Sequence, residues 1–238
     1  PQSATIHPMN QRQIHVNIAK LLQRVRLSAE KSQRQGSDIL LLAVSKTRPA
    51  SDLRAACDSG LREFGESYLQ EALAKIEELG DLDLTWHFIG PIQSNKTRPI
   101  AEHFHWVHSI DRAKVARRLS EQRPPELPPL QVCIQVNISA EPSKSGVSPG
   151  ELPALAELIC SLPGLKLRGL MAIPAASDDE AQQRQAFARL RELKSALQDV
   201  APEMDTLSMG MSADLEAAIA EGATIVRVGT GIFGPRNR

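Results

Sequence analysis

Lys46 follows the apolar run Leu40-Leu41-Leu42-Ala43-Val44, so a strand through that run delivers its amine to the strand end, partly withdrawn from water. Burial and neighbouring cations lower the pKa of an amine, and the neutral amine is the form that condenses with a carbonyl. A lysine that snorkels from a strand end has the same local sequence, so other segments must decide between the two. Two segments bear on it: Leu207-Ser208-Met209-Gly210-Met211-Ser212 and Arg227-Val228-Gly229-Thr230-Gly231-Ile232-Phe233-Gly234. Glycines let backbone N–H groups approach an anion, which makes both segments candidates for a phosphate. Ordinary turn glycines, with Ser212 or Asp214 near a helix N-cap, are the competing reading. A strand-end lysine with two such loops suits a phosphorylated carbonyl compound, a Schiff-base aldolase substrate among them.

The elements that must position these residues follow from hydrophobic periodicity. A helix is predicted over about 10–34, with Ile14, Ile18, Leu21, Leu22 and Val25 on one face. Short apolar runs then read as strands at Ile39–Val44, Glu63–Gly65, Thr85–Ile89, His105–Val107, Leu130–Val136, Lys166–Met171, Thr206–Met209 and Ile225–Val228. Helices are predicted between them at Ala50–Ser59, Tyr68–Leu79, Ser94–Glu102, Ala113–Glu121, Pro149–Ser161, Asp179–Val200 and Ala213–Glu221. Alternating strands and helices imply a parallel sheet with crossover helices. The distinctive polar residues fall just past strand ends: Ser45-Lys46, Gly65-Glu66, Gly90-Pro91, Asn137, Met171, Ser208 to Gly210 and Gly229-Thr230. In a closed barrel these ends meet at one mouth, and the loops after the seventh and eighth strands are a frequent phosphate site. The expectation is therefore an α/β chain forming one TIM-type (β/α) barrel domain over 1–238, with a doubly wound sheet as the competing architecture. The Pro-rich stretch Arg123–Pro129 reads as a stiff loop before the fifth strand.

Other residues carry less. His87 sits in an apolar run and reads as a hydrogen-bonded core histidine. His103, His105 and His108 suggest a metal, but strand alternation puts His105 and His108 on different faces and no cysteine or carboxylate completes a set, so no metal is expected. Glu66, Ser67 and Asn137 follow strand ends and are candidates to line a ligand, whereas Lys144-Ser145-Gly146 reads as a solvated loop. Lys plus Arg and Asp plus Glu both number 28 in 238 residues, so charge gives no reason to expect nucleic acid or an anionic membrane as partner. No apolar run reaches the length of a bilayer span and the N-terminus lacks a signal-peptide core. Cys57, Cys133 and Cys160 are odd in number, widely spaced and in apolar contexts, which predicts buried reduced thiols and a cytoplasmic location.

Read together, Val44-Ser45-Lys46-Thr47, Phe64-Gly65-Glu66-Ser67-Tyr68-Leu69-Gln70-Glu71 and Trp86-His87-Phe88-Ile89-Gly90-Pro91-Ile92-Gln93-Ser94-Asn95-Lys96 resemble the YggS/PROSC family of pyridoxal phosphate homeostasis proteins. The resemblance continues in order through Val136-Asn137-Ile138, Lys144-Ser145-Gly146, Gly169-Leu170-Met171 and the two C-terminal glycine segments, and so covers nearly the whole chain. Ser67 departs from it, since the family usually has asparagine there, and no role is carried over for that position.

The resemblance implies a fold-type III barrel, like the N-terminal domain of alanine racemase, carrying pyridoxal 5′-phosphate (PLP) as a Schiff base on Lys46. It implies that Ser208, Gly229 and Thr230 bind the phosphate with Gly210 nearby, and that Arg227 faces the pyridine nitrogen; Asn137 and Met171 are counted with the cofactor site. The function implied is vitamin B6 homeostasis and PLP supply without robust turnover, with related B6 vitamers as further ligands and PLP-requiring apo-enzymes as transient partners. A PLP-dependent amino-acid racemase is the alternative. Two-base racemisation needs an acid/base on each face of the substrate carbon. In alanine racemase a tyrosine of a second domain supplies one of them, and the sequence, ending at Arg238 with Tyr68 as its single tyrosine, is expected to lack that domain. Without it a monomer is the simplest expectation.

Overall fold

The computed structural model describes residues 9–235; of the domain expected over 1–238, residues 1–8 and 236–238 lie outside the described residues. Eight strands, β1 (Leu40–Val44), β2 (Glu63–Glu66), β3 (Thr85–Phe88), β4 (Trp106–Ile110), β5 (Leu130–Gln135), β6 (Leu165–Met171), β7 (Thr206–Ser208) and β8 (Ile225–Val228), run parallel in chain order. Leu40 to Ala43 of β1 pair with Ile225 to Val228 of β8, which closes the ring and excludes the doubly wound alternative. The crossovers carry α2 (Ala50–Asp58), α3 (Leu69–Glu78), α4 (Thr97–His103), α5 (Ala113–Gln122), α6 (Leu152–Ser161), α7 (Glu180–Ala196) and α8 (Leu215–Ala220). A four-residue helix, α9 (Thr230–Phe233), follows β8.

The N-terminal helix, α1 (Gln11–Lys31), starts on the Asn10 side chain, which accepts from the Arg12 N–H, and packs across α2, α8 and α9. Its buried stripe is Ile14, Ile18, Leu21, Val25 and Ala29. Leu22, expected on that stripe, is 43% exposed, because one residue past Leu21 is a rotation of about 100°. Cys160 is likewise exposed rather than buried: it follows Ile159, the last buried residue of α6, and turns off that helix's inner face. Cys57 and Cys133 are buried as expected. The fourth strand runs on to Ile110, past the expected end at Val107, because His108 and Ser109 are buried polar residues with partners inside the protein.

Apolar side chains divide into two sets. Most fill the layer between strands and helices, whereas Leu42, Trp106, Cys133, Met171 and Ile225 form a separate cluster that is contributed by alternate strand residues and fills the barrel interior. Gly169 sets the local shape of the wall. A Cβ there would lie 1.7 Å from the Thr206 carbonyl oxygen, and the register between β5 and β6 shifts at the same level, between Val132 and Cys133. No side chain fits without parting β6 from β7. Gly169→Ala is therefore expected to destabilise the fold by on the order of 3 kcal/mol in denaturant unfolding, and a loss below about 1 kcal/mol would contradict this account of the wall.

Candidate functional site at the barrel mouth

Lys46 is half-buried just beyond β1, and the residues on either side of it are held from below. Lys75, 5% exposed on α3, donates through Nζ to the Ser45 carbonyl at 2.7 Å, to Glu66 Oε1 at 2.7 Å and to Glu71 Oε1 at 2.6 Å. Ser45 Oγ donates to Glu66 Oε1 at 2.8 Å, and the Thr47 N–H donates to Glu71 Oε1 at 2.5 Å. Thr47 adopts φ +65°, a left-handed conformation that a β-branched residue rarely takes, so the turn after Lys46 is kept in place by these bonds. Glu66 is fully buried, and burial pushes its carboxyl pKa up against the opposing pull of Lys75 and Ser45. Through Oε1 it is thus a buttress of the Lys46 turn, while its Oε2 is buried without a hydrogen-bond partner among the described residues.

Closure of the barrel brings the C-terminal segments alongside this turn. Arg227 on β8 pairs in register with Leu42 on β1, and a Cβ on Gly229 would lie 3.3 Å from the Val44 carbonyl oxygen. Arg227 is 5% exposed; its Nη1 donates to Ser208 Oγ at 2.8 Å and its Nη2 to the Ala172 carbonyl at 3.0 Å. Burial lowers its pKa to about 10 against the attraction of Asp214, so it is a cation at neutral pH. Ser208 is fully buried, with its hydroxyl also 2.7 Å from His108 Nδ1. The first-turn N–H groups of any helix lack intrahelical acceptors, and here that turn begins at Thr230, which is exposed. Ser212 comes up against it: a Cβ on Gly231 would lie 3.0 Å from Ser212 Oγ and 2.8 Å from Val228 Cγ1. Gly210, at φ +98°, leaves no room for a Cβ against Ala218, 2.5 Å away, and its carbonyl accepts from the Arg227 N–H.

The remaining expected residues divide between the mouth and the floor beneath it. Asn137 is half-buried and donates from Nδ2 to the Glu141 carbonyl at 2.8 Å, which folds the loop after β5 back over the strand ends; its Oδ1 is buried without a partner. Within that loop, half-buried Lys144 and exposed Ser145 help line a cavity of about 210 Å³ with Ile89, Pro91, Gln135 and Ile173. Met171 is fully buried in the interior cluster, under the mouth. Ser67 packs against Gly90, where a Cβ would lie 2.7 Å from the Ser67 carbonyl oxygen. His87 is fully buried and bonded to Glu63 and His108, as a core histidine should be. His105 accepts at Nδ1 from the Trp86 N–H, and among the described residues no three His, Cys, Asp or Glu side chains converge as a metal set. One residue of the site was not singled out in the sequence: Lys75, whose signal is a lysine three residues after buried Ala72 on one helix; Ser212 belongs to the phosphate-candidate segment, with a cap as its competing reading.

A half-buried amine, a buried permanent cation and a rim of hydroxyl and N–H donors together suit a ligand with a carbonyl, a basic or electron-rich ring atom and an anionic group. Comparisons with known proteins agree with this chemistry. Residues 16–237 match the family model for the alanine racemase N-terminal domain. A pyridoxal phosphate homeostasis protein of Pseudomonas aeruginosa is 64% identical over 221 residues, covering 93% of this chain and 95% of that protein. One of Escherichia coli is 51% identical over 224 residues, covering 93% and 96%. Among solved structures, PipY of Synechococcus elongatus with PLP bound superposes with a TM-score of 0.81 at 41% identity, covering 93% of this chain and all of that one. Alanine racemase of Corynebacterium glutamicum, at 16% identity and a TM-score of 0.70, shares the fold over 63% of its length. The chain therefore belongs to the alanine racemase N-terminal-domain family and, within it, to the pyridoxal phosphate homeostasis proteins.

Proposed function

We propose that this protein binds PLP at the barrel mouth, covalently through Lys46, and serves vitamin B6 homeostasis by holding and releasing it. The observation that carries the reading is the meeting of the Lys46 turn with Arg227 and the Gly229–Gly231 segment at the β1–β8 seam, since three different groups of one cofactor need those three kinds of partner. The residues fit the group: an amine for the aldehyde, a guanidinium for the ring nitrogen, and Ser212, Gly229, Thr230 and their N–H groups for the phosphate. Ser208, whose hydroxyl is fully buried, takes part by holding Arg227. Gly210 lets the loop after β7 turn against α8, and Met171 floors the ring.

Bound PLP supplies an aldehyde that condenses with amines and a ring that can accept electron density. Lys46 forms the covalent link through its neutral amine. Arg227, a cation with both terminal nitrogens already bonded to Ser208 and Ala172, would disfavour protonation of a ring nitrogen placed against it and so would limit carbanion chemistry. Tyr68, the only tyrosine, is 51% exposed at the start of α3, in no position held for proton transfer. These features favour a carrier over a racemase. The same reading has the protein act as a monomer that contacts PLP-requiring apo-enzymes transiently and takes related B6 vitamers. No described helix is long and apolar enough to cross a membrane, and three free thiols suit the reducing cytoplasm.

Two outcomes follow. Lys46→Ala is expected to keep the far-ultraviolet circular dichroism of the wild type and to lose the visible absorbance gained on adding PLP; the same absorbance in the variant would remove Lys46 from its role. Ser212→Ala and Thr230→Ala should each weaken PLP binding by roughly ten- to a hundredfold, as expected for a hydrogen bond to a charged acceptor, while leaving binding of unphosphorylated pyridoxal unchanged. Equal losses for both ligands would show that these hydroxyls do not serve the phosphate.

A further inference from the structure

A line of four hydrogen bonds crosses the barrel interior from Arg227 to β2. Arg227 Nη1 donates to Ser208 Oγ at 2.8 Å, Ser208 Oγ lies 2.7 Å from His108 Nδ1, His108 Nε2 lies 2.9 Å from His87 Nδ1, and His87 Nε2 lies 2.9 Å from Glu63 Oε1. Ser208, His108 and His87 are fully buried, and the Glu63 side chain is 29% exposed. Trp106 stacks on His87 with ring centroids 5.4 Å apart and planes inclined by 14°, which fixes the ring that must bridge the two ends.

Donor and acceptor inventory leaves two polarities. A guanidinium only donates and a carboxylate only accepts. In the first polarity Ser208 gives its proton to His108 Nδ1, His108 donates from Nε2 to His87 Nδ1, and His87 donates from Nε2 to Glu63; every ring is neutral and every atom is matched. In the second, His108 donates from Nδ1 to Ser208; either His108 is doubly protonated and is itself a fully buried imidazolium, or a neutral His108 must accept at Nε2 from His87 Nδ1–H. His87 Nε2 then also needs a proton to meet Glu63, which makes it an imidazolium in a fully buried position. The charged groups at the two ends of the pair are Glu63 and Arg227. Burial lowers the pKa of His87, with Glu63 opposing, and lowers that of His108 well below the usual histidine value, with His87 and Arg227 adding to the effect. The first polarity also points the acceptor end of each link toward the guanidinium, so the chain stabilises that cation in a medium of low dielectric.

We infer that Glu63, His87, His108 and Ser208 form one hydrogen-bond chain of single polarity, with both histidines neutral and protonated at Nε2, and that Glu63 is through it a positioning residue for Arg227 and hence for the cofactor ring. The last step rests on the proposed placement of Arg227 against the ring nitrogen; the chain itself does not.

Long-range nitrogen–proton correlation on the cofactor-free full chain, labelled with ¹⁵N-histidine, reads the protonation of all four ring nitrogens. From about pH 5 to 8, where an ordinary histidine titrates, His87 and His108 are expected to stay neutral with Nε2 protonated. An imidazolium at His87, or a proton on Nδ1 of either ring, would overturn the polarity. The second readout is PLP affinity in a double-mutant cycle. Glu63→Gln should weaken binding roughly fivefold in the wild type and leave it unchanged beside Arg227→Gln, the size expected for coupling within one network. Equal effects in both backgrounds, or no effect in the wild type, would remove Glu63 as a positioning residue. Unchanged affinity in Arg227→Gln alone would instead overturn the placement of the ring, with the nitrogen shifts still deciding the chain.

Discussion

A buried guanidinium must find acceptors and a counter-charge, and the inside of this barrel is laid out around that requirement. Arg227 projects inward from β8, where a larger aliphatic residue would otherwise pack in the interior layer with Leu42, Cys133 and Met171. Its partners are Ser208 at the end of β7 and the Ala172 carbonyl just past β6, so the two preceding strands are tied to the last one at the level of the mouth. An unpaired buried charge costs several kcal/mol, which explains why polar residues occupy interior positions of β3, β4 and β7 that a barrel core would usually fill with aliphatic ones. The constraint is both structural and chemical: the same bonds that make the charge tolerable fix the position of the guanidinium at the level of the strand ends.

The second organising feature is close approach of backbones. Gly169 lets β6 lie against Thr206 of β7, Gly210 lets the loop after β7 turn tightly against α8, and Gly229 and Gly231 let the end of β8 come within contact of Val44 and Ser212. These contacts bring the Lys46 turn and the phosphate candidates to one seam. On the other side of that turn, Lys75, Glu66 and Glu71 clamp Ser45 and Thr47, so the lysine amine projects from a fixed backbone. A site built this way is prepared before the ligand arrives, which suits reversible capture: little conformational entropy is lost on binding, and little rearrangement is needed for release.

Much of this was legible from sequence, and the limits are physical. All eight strands and the Lys46 strand end follow from short apolar runs bounded by turn residues, because that pattern is local. The extension of β4 through His108 and Ser109 was not legible, since those polar residues are buried only by virtue of partners on β3, just past it at Gly90, and on β7 that lie far away in the chain. Lys75 was missed for the same reason: a lysine on an apolar helix face is explained only by Ser45, Glu66 and Glu71 once they are assembled around it. Ser208 and Ser212 lie in one short segment with similar flanks, and only the fold separates a hydroxyl that faces inward to Arg227 from one that sits beside Gly231. Leu22 and Cys160 mark the resolution of helical periodicity, where one residue decides between core and solvent. The family resemblance reached the cofactor, but which partners each serine meets depends on three-dimensional contacts.

Lys46 as the point of attachment is the central claim about this site, and other lysines compete for that role on simple proximity, including Lys75 beneath the same turn and Lys144 in the loop over the mouth. The most direct measurement is borohydride reduction of the full wild-type chain loaded with PLP, followed by mass-spectrometric peptide mapping. A reduced adduct on the peptide containing Lys46, with Lys75 and Lys144 unmodified, is the predicted result. Label on Lys75, or label spread over surface lysines with Lys46 unmodified, would contradict it.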